Sequence, residues 1–191
     1  MAGEIIGVLL AAGAGRRFGG PKLLAPLADG TPLALAAART LIAGVDRALA
    51  VVPPDAPSLA EMLAGAGLSV VINRRPARGM GASLAAGVAA APDAAGWVIA
   101  LGDMPWVPAQ VVQQVTQTLR AGALIAAPEC DGCRGHPVGF AAALGPELAR
   151  LRGDRGARAL LERYGLQEVP TTDLGVLRDV DRPRDLARRF H

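Results

Sequence analysis

Aromatic side chains are scarce in this chain, since Phe, Trp and Tyr together make up 3% of its 191 residues. Proteins that bind nucleic acid usually combine a concentrated basic stripe with stacking aromatics. The formal net charge is only +3, and it comes mainly from arginines, many of them in the C-terminal third. We therefore expect no nucleic-acid partner.

Cysteine is also rare, and a long apolar run is missing. Cys130 and Cys133 are the only two cysteines, which excludes a disulfide framework. Their CxxC spacing with one nearby histidine makes a poor tetrahedral zinc set, so a tight turn carrying two surface thiols is favoured. The apolar run over residues 5–14 is too short to span a bilayer, and it follows Glu4 rather than the basic residues of a signal peptide. We expect a cytoplasmic protein with no membrane partner.

Apolar residues make up 51% of the chain, and they form short runs that alternate with helical patterns. Strands are expected at 5–10, 48–52, 69–72, 97–101, 124–127 and 138–140. Helices are expected at 31–43 with Thr31 as cap, from a capping box at 58–61, at 82–91, 108–121, 157–164 and 182–189. This alternation predicts an α/β fold, a single domain over 1–191 whose largely parallel sheet is covered on both faces. In such a sheet, ligands bind beyond the carboxyl ends of the strands.

The loop after the first predicted strand combines glycines with cations. Gly13 and Gly15 let backbone N–H groups approach an anion, and Arg16, Arg17 and Lys22 add positive charge. A polyphosphate uses both features. Pro21 before Lys22 excludes a Walker loop, and Phe18 takes the place of the third glycine of a dinucleotide fingerprint.

A carboxylate follows the strand predicted at 97–101. Asp103, in the motif LGDMP, is the candidate ligand for Mg²⁺, because this ion takes one or two carboxylates together with phosphate oxygens. The alternative is a turn cap before Pro105. Asp181, in DVDRPRDL, is either a helix N-cap or a second carboxylate for the same metal.

Two further loops carry polar candidates. Gly81 and Ser83 lie in RGMGASLAAG, where bare backbone and a hydroxyl can read the edge of a base; ordinary helix capping by Ser83 is the alternative. His136, in GHPVGF, is a candidate substrate contact, since Arg155 and Arg158 of RGDRGAR lie nearby in sequence.

Together these motifs resemble the molybdenum cofactor cytidylyltransferase (MocA-like) family within the MobA-like nucleotidyltransferase superfamily. The matching segments are LLAAGAGRRFGGPKLL, GMGASLAAGV, ALGDMPWV, GHPVGF, GDRGARALL and DVDRPRDL, which extend from about residue 5 to 186. The resemblance implies a Rossmann-like three-layer α/β/α fold of the nucleotide-diphospho-sugar transferase type. It also implies transfer of CMP from CTP to the terminal phosphate of the molybdenum cofactor, with Mg²⁺ and release of pyrophosphate.

The resemblance further implies roles for individual residues. Nucleotide would lie against Leu10, Ala11, Ala12, Gly13 and Gly15, with Arg16 and Lys22 on the triphosphate and Gly81 and Ser83 at the base. Asp103 and Asp181 would bind the metal, Asp179 and His136 being the other candidates to complete its shell. His136, Asp154, Arg155 and Arg158 would face the molybdenum cofactor.

Three alternatives remain open beside the cytidylyltransferase. One is a guanylyltransferase of the same superfamily, although LAAG at residues 10–13 departs from the guanylyl pattern LAGG. Another is a related NAD(P)H-dependent oxidoreductase. The last is a carrier that delivers molybdenum cofactor without modifying it, and a molybdenum hydroxylase as client protein is a partner the resemblance allows.

Overall fold

The structure is a computed structural model that describes residues 3–13, 17–153 and 156–187. Within these segments, eight strands form one sheet. The strands are β1 Ile5–Leu10, β2 Arg47–Val52, β3 Ser69–Ile72, β4 Gly96–Leu101, β5 Ile125–Cys130, β6 Cys133–Arg134, β7 Val138–Ala141 and β8 Gln167–Pro170.

Helices connect most of the strands. They are α1 Leu33–Ile42, α2 Pro57–Gly65, α3 Met80–Ala89, α4 Ala109–Arg120, α5 Gly145–Leu148 and α6 Arg158–Tyr164. Short 3₁₀ turns lie at Lys22–Leu24, Pro76–Arg78, Ala142–Leu144, Leu174–Leu177 and Pro183–Ala187. None of the helices in the described segments is long and apolar enough to cross a membrane.

The sheet is mostly parallel, as predicted. Its order is β3-β2-β1-β4-β7-β5-β6, and β8 pairs with β5 beside this path. Strands β1 to β4 run parallel to one another, while β7 is antiparallel to both β4 and β5. The carboxyl ends of β1, β2, β3 and β4 therefore meet at one edge, which brings the loops that follow them together.

Helices cover both faces of the sheet, because side chains alternate between the faces along each strand. Leu9 and Ala50 pack with α1, α2 and α4 on one face. Val8 and Val51 pack with α3, α5 and α6 on the other face. The predicted three-layer α/β/α architecture is confirmed, and it explains why β1 is buried along its whole length.

Helix starts differ from the sequence expectation at several places, and α3 begins at Met80, two residues before the expected position. Pro32, not Thr31, is the cap residue of α1, since an isolated bridge between Pro26 and Pro32 keeps this segment extended. Helix α2 begins one residue before Ser58, because Pro57 takes the first helical position with its fixed φ. The expected helix at 182–189 is a 3₁₀ turn as far as residue 187.

Close packing between α3 and the sheet requires a glycine at position 87. A Cβ atom placed there would lie 2.5 Å from Val8 Cγ1 and 3.1 Å from Val51 Cγ2. Both valines are stiff, buried β-branched side chains. We expect Gly87→Ala to lower the free energy of unfolding by about 1–3 kcal/mol, measured by urea denaturation.

Gly65→Ala is the matched control, because apart from its own helix and chain neighbours no described residue comes within 4 Å of a Cβ placed at this last residue of α2. Its free energy of unfolding is expected to stay within about 0.5 kcal/mol of the parent protein or to rise slightly. Equal stability of the two variants would contradict the packing described for α3.

Candidate functional site

A lysine lies between two carboxylates at the carboxyl edge of the sheet. Lys22 Nζ is 2.7 Å from Asp103 Oδ2 and 3.9 Å from Asp181 Oδ1. The lysine side chain is only 10% exposed, so its charge is largely withdrawn from water. The structure thus brings together three residues that the sequence analysis singled out in three separate motifs.

Backbone contacts hold this cluster in place. Asp103 follows Gly102, whose N–H donates to the carbonyl of Leu10 and ties the ends of β4 and β1 together (3.0 Å). The N–H of Val180 donates to the carbonyl of Asp103 (2.9 Å). This second bond fixes the segment around Val180 beside β4, and with it the carboxylate of Asp181.

The carboxylate of Asp181 is not used as a helix cap. Asp185 Oδ2 instead accepts hydrogen bonds from the N–H groups of Asp181 (3.1 Å) and Arg182 (2.8 Å). Arg17 Nη1 donates to Asp181 Oδ2 at 2.7 Å. Because Asp185 satisfies the turn, Asp181 faces the cations of the first loop.

Asp179 contributes a third carboxylate to this region. Partial burial, followed by the nearby charges of Asp103 and Asp181, raises the pKa of Asp179, while Lys22 acts in the opposite direction. Among the described residues, no three Asp, Glu, His or Cys side chains stand close enough to enclose a metal ion. A cation held here would take ligands from a bound molecule as well as from the protein.

The loop after β1, the glycine loop, whose described residues are 11–13 and 17–21, lies directly beside this cluster. The N–H of Ala11 donates to the carbonyl of Val51, whereas no described residue accepts a hydrogen bond from the amides of Ala12 or Gly13. A cleft of about 110 Å³ opens between this loop and the start of α2, with Gly13 and Pro21 on one side and Pro53 and Leu59 on the other. Gly15 and Arg16 lie outside the described residues.

Gly81 and Ser83 lie at the same edge, in the first turns of α3. The N–H of Gly81 donates to the carbonyl of Gly153 (2.9 Å), and Ser83 Oγ accepts from Asn73 Nδ2 (3.0 Å). Both Ser83 and Asn73 are buried. The sequence analysis did not single out Asn73, although its position directly after β3 was the available signal.

His136 lies in the connection between β6 and β7, where its N–H donates to the carbonyl of Val176. Its Nδ1 is buried and has no hydrogen-bond partner among the described residues. Burial lowers the pKa of His136 from 6.5 to about 4; the charge of Arg134 acts in the same direction and that of Asp103 opposes it. The ring lines a small cavity together with Thr40 and Met104, so its Nδ1 is turned toward the interior.

Of the other residues expected to face the molybdenum cofactor, Arg158 is the one that the structure describes. Arg158 is exposed on α6, where its Nε lies 3.2 Å from Glu162 Oε1. Asp154 and Arg155 lie outside the described residues. The CxxC motif forms the β5–β6 hairpin, which places Cys130 opposite Cys133 as two free thiols. The expectation of two surface thiols is wrong for Cys130, which is buried against Val111 and Val176, while Cys133 is exposed.

This arrangement suits a polyanion accompanied by a cation. Uncommitted amides and guanidinium or ammonium groups bind phosphate oxygens, and hard carboxylate oxygens bind divalent metals such as Mg²⁺. The two kinds of group adjoin each other at Lys22, Asp103 and Asp181.

Comparison with known proteins agrees with this chemistry. Residues 7–169 match the model of the MobA-like NTP transferase domain. Nicotine blue oxidoreductase of Paenarthrobacter nicotinovorans is 32% identical over 194 residues, which cover 96% of this chain and 95% of that protein.

Two solved structures of Rv0371c from Mycobacterium tuberculosis H37Rv are also similar. The first is 33% identical to this chain, and the match covers 98% of this chain and 97% of the Rv0371c chain with a TM-score of 0.84. The second, a complex with manganese, is 28% identical, and the match covers 88% of each of the two chains with a TM-score of 0.74.

The half-buried imidazole of His136, whose Nδ1 is shielded from water, should make the protein sensitive to acid. In the unfolded chain a histidine takes up its proton near pH 6.5, but in the folded protein His136 does so only near pH 4. The unfolded state therefore binds more protons between these two values, and the free energy of unfolding should fall as the pH is lowered through this window. Urea denaturation at several pH values measures this slope, which His136→Asn should reduce.

The ring proton resonances of His136 provide an independent check by NMR. We expect them to stay constant from about pH 8 to about pH 5.5. The signal of His191 is identified by its persistence in the His136→Asn variant. Titration of the His136 signal near pH 6.5 would contradict the buried environment.

Proposed function

Since the chain belongs to the MobA-like NTP transferase family, we propose that it transfers CMP from CTP to the terminal phosphate of the molybdenum cofactor and releases pyrophosphate. The observation that carries this proposal is the position of Lys22 between Asp103 and Asp181, next to the open amides of the glycine loop. A metal-bound triphosphate requires a cationic side chain and free backbone N–H groups for its phosphate oxygens, and carboxylates for its metal ion.

The carboxylates fit a divalent cation. Mg²⁺ is usually held by one or two carboxylates together with substrate phosphates, and Asp103 and Asp181 supply two such groups. The similar Rv0371c was solved in complex with manganese, which supports a divalent ion as the metal. Bound there, Mg²⁺ would neutralise charge on the phosphate oxygens and polarise the phosphorus that is attacked.

The chain's own groups would position the reactants. A phosphate oxygen of the acceptor attacks the α-phosphorus of CTP, the bond from this phosphorus to the oxygen bridging to the β-phosphate breaks, and pyrophosphate leaves. The attacking phosphate is already ionised, so no strong general base is needed. The amides of Ala12 and Gly13, with Lys22 and Arg16, would hold the triphosphate in line for this displacement.

The base is proposed to lie near the start of α3, beside Gly81 and Ser83. The Gly81 N–H is already bonded to Gly153, so recognition there would rely on Ser83 and on the glycine loop. The sequence LAAG at residues 10–13, in place of LAGG, favours cytosine over guanine. His136, Asp154, Arg155 and Arg158 are proposed to face the molybdenum cofactor.

An oxidoreductase is the second candidate, because the relative at 32% identity is named nicotine blue oxidoreductase. This reading requires a site for a nicotinamide dinucleotide. Dinucleotide sites commonly use an acidic side chain near the end of the second strand to hold the ribose. Asp55 is the first acidic residue after β2, and Pro53 and Pro54 separate it from the strand. The carboxylates at Asp103 and Asp181 fit the transferase better.

Pyrophosphate release tests the proposal. Purified protein is incubated with molybdenum cofactor, Mg²⁺ and each of CTP, GTP, ATP and UTP in turn. We expect CTP to give the fastest release, and we expect Asp103→Asn to lower the rate by about 10²-fold or more, because one charged metal ligand is lost. Asp93→Asn is the control and should keep the full rate, since Asp93 lies in the loop before β4 at the opposite edge of the sheet.

The remaining outcomes separate the alternatives. Faster release with GTP would identify a guanylyltransferase. Oxidation of NADPH without pyrophosphate release would favour the oxidoreductase, and binding of molybdenum cofactor with no release from any nucleotide would indicate a carrier. Full activity of Asp103→Asn would remove this residue from the proposed metal site.

A further inference from the structure

An open groove lined by arginines runs beside α3, next to the site described above, with which it shares Asn73. It measures about 390 Å³. Arg74, Arg75 and Arg78 border it from the segment between β3 and α3, and Arg152 borders it from the segment after α5. Its remaining lining includes six aliphatic side chains: Ile72, Ala82, Ala85, Ala86, Ala149 and Leu151.

The positive charge of this groove is not neutralised by the described part of the chain. No carboxylate is among its lining residues, and none of its four arginines forms an ion pair with a described residue. All four are exposed. By contrast, Arg47, Arg120 and Arg163 elsewhere on the surface each pair with a carboxylate.

Two hydrogen bonds join the segments that carry these arginines. The N–H of Gly153 donates to the carbonyl of Arg78, and the N–H of Gly81 donates to the carbonyl of Gly153, both at 2.9 Å. A Cβ at position 81 would approach the Gly153 carbonyl oxygen to 2.9 Å, so the two segments are in direct contact. The two segments that carry the arginines are therefore held together by backbone hydrogen bonds.

The groove lacks the polar groups that recognise a nucleoside. Asn73 is its one side-chain amide, and both ends are engaged: Nδ2 donates to Ser83, and Oδ1 accepts from the N–H of Arg75. Small-molecule sites are usually enclosed and bury most of their ligand, whereas this groove is open to solvent along its exposed arginines. An extended polymer suits it better than a small ligand.

The side chains of the groove suit an acidic polypeptide. The planar guanidinium forks of its four arginines match carboxylates in geometry. Two large apolar side chains are also exposed in this part of the chain, Ile72 at 45% and Met80 at 46%.

We propose that this groove docks an extended acidic segment of a partner protein. The carboxylates of the segment would pair with the arginines, and the alanine floor would allow its main chain to approach α3. This inference does not depend on the proposed transferase activity, because the four arginines that carry it are not among the residues proposed to bind nucleotide, metal or molybdenum cofactor.

Fluorescence anisotropy tests this proposal with a labelled peptide of about ten residues that alternates Glu and Ala. We expect the parent protein to bind it and affinity to fall as salt is raised. The double variant Arg74→Glu/Arg78→Glu should bind at least about tenfold more weakly, because two attractive contacts become repulsive. Pyrophosphate release by this variant, measured without peptide, should stay at the parental rate.

Arg39→Glu is the charge-matched control for the single variant Arg74→Glu, since Arg39 is an exposed arginine on α1, which packs on the opposite face of the sheet. Its peptide affinity should change by less than about twofold. Equal weakening in Arg39→Glu and in Arg74→Glu would show that only net charge matters and would overturn the docking site. Displacement of the peptide by equimolar tripolyphosphate would also overturn it, since the groove would then be a small-anion site.

Discussion

A nearly buried ammonium group between two carboxylates is the interaction on which this site depends. Withdrawing a charge from water is costly unless opposite charges compensate for it. At 10% exposure, Lys22 needs Asp103 and Asp181, and these carboxylates in turn need a cation near them. The same mutual requirement makes the cluster responsive to ligands, because a metal ion can replace the ammonium beside the carboxylates and a phosphate can replace the carboxylates beside the ammonium.

The fold supplies this interaction through the direction of its strands. Because β1 and β4 are parallel neighbours, the glycine loop and Asp103 emerge at the same edge. The segment around Val180, which carries Asp181, reaches this edge through the hydrogen bond from the Val180 N–H to the Asp103 carbonyl. Residues that are more than 150 positions apart, Arg17 and Asp181, then meet at 2.7 Å. The basic groove beside α3 is a separate surface, and it shares only the segment leading into α3 with this edge.

The apolar runs predicted β1 and β3 with their observed ends. In β1 the reason is continuous burial, whereas β3 is only partly buried and was indicated by its β-branched run Val70–Ile72. The rule that ligands bind at carboxyl ends also placed Asp103 and the glycine loop together. The sequence could not show that Asp185 rather than Asp181 satisfies the last turn, since both are acidic residues near a proline. Strand β6 has two residues and was missed, because its pairing with β5 depends on the hairpin turn rather than on an apolar pattern.

The most direct test of the central claim compares metal and nucleotide binding in the parent protein and in Lys22→Met. Binding of Mn²⁺ alone is followed by the loss of its free electron paramagnetic resonance signal, and binding of CTP with Mg²⁺ by calorimetry. If Lys22 links the carboxylates to the triphosphate, the variant binds Mn²⁺ more tightly than the parent and CTP more weakly. A variant that folds but binds both ligands as the parent does would contradict this account.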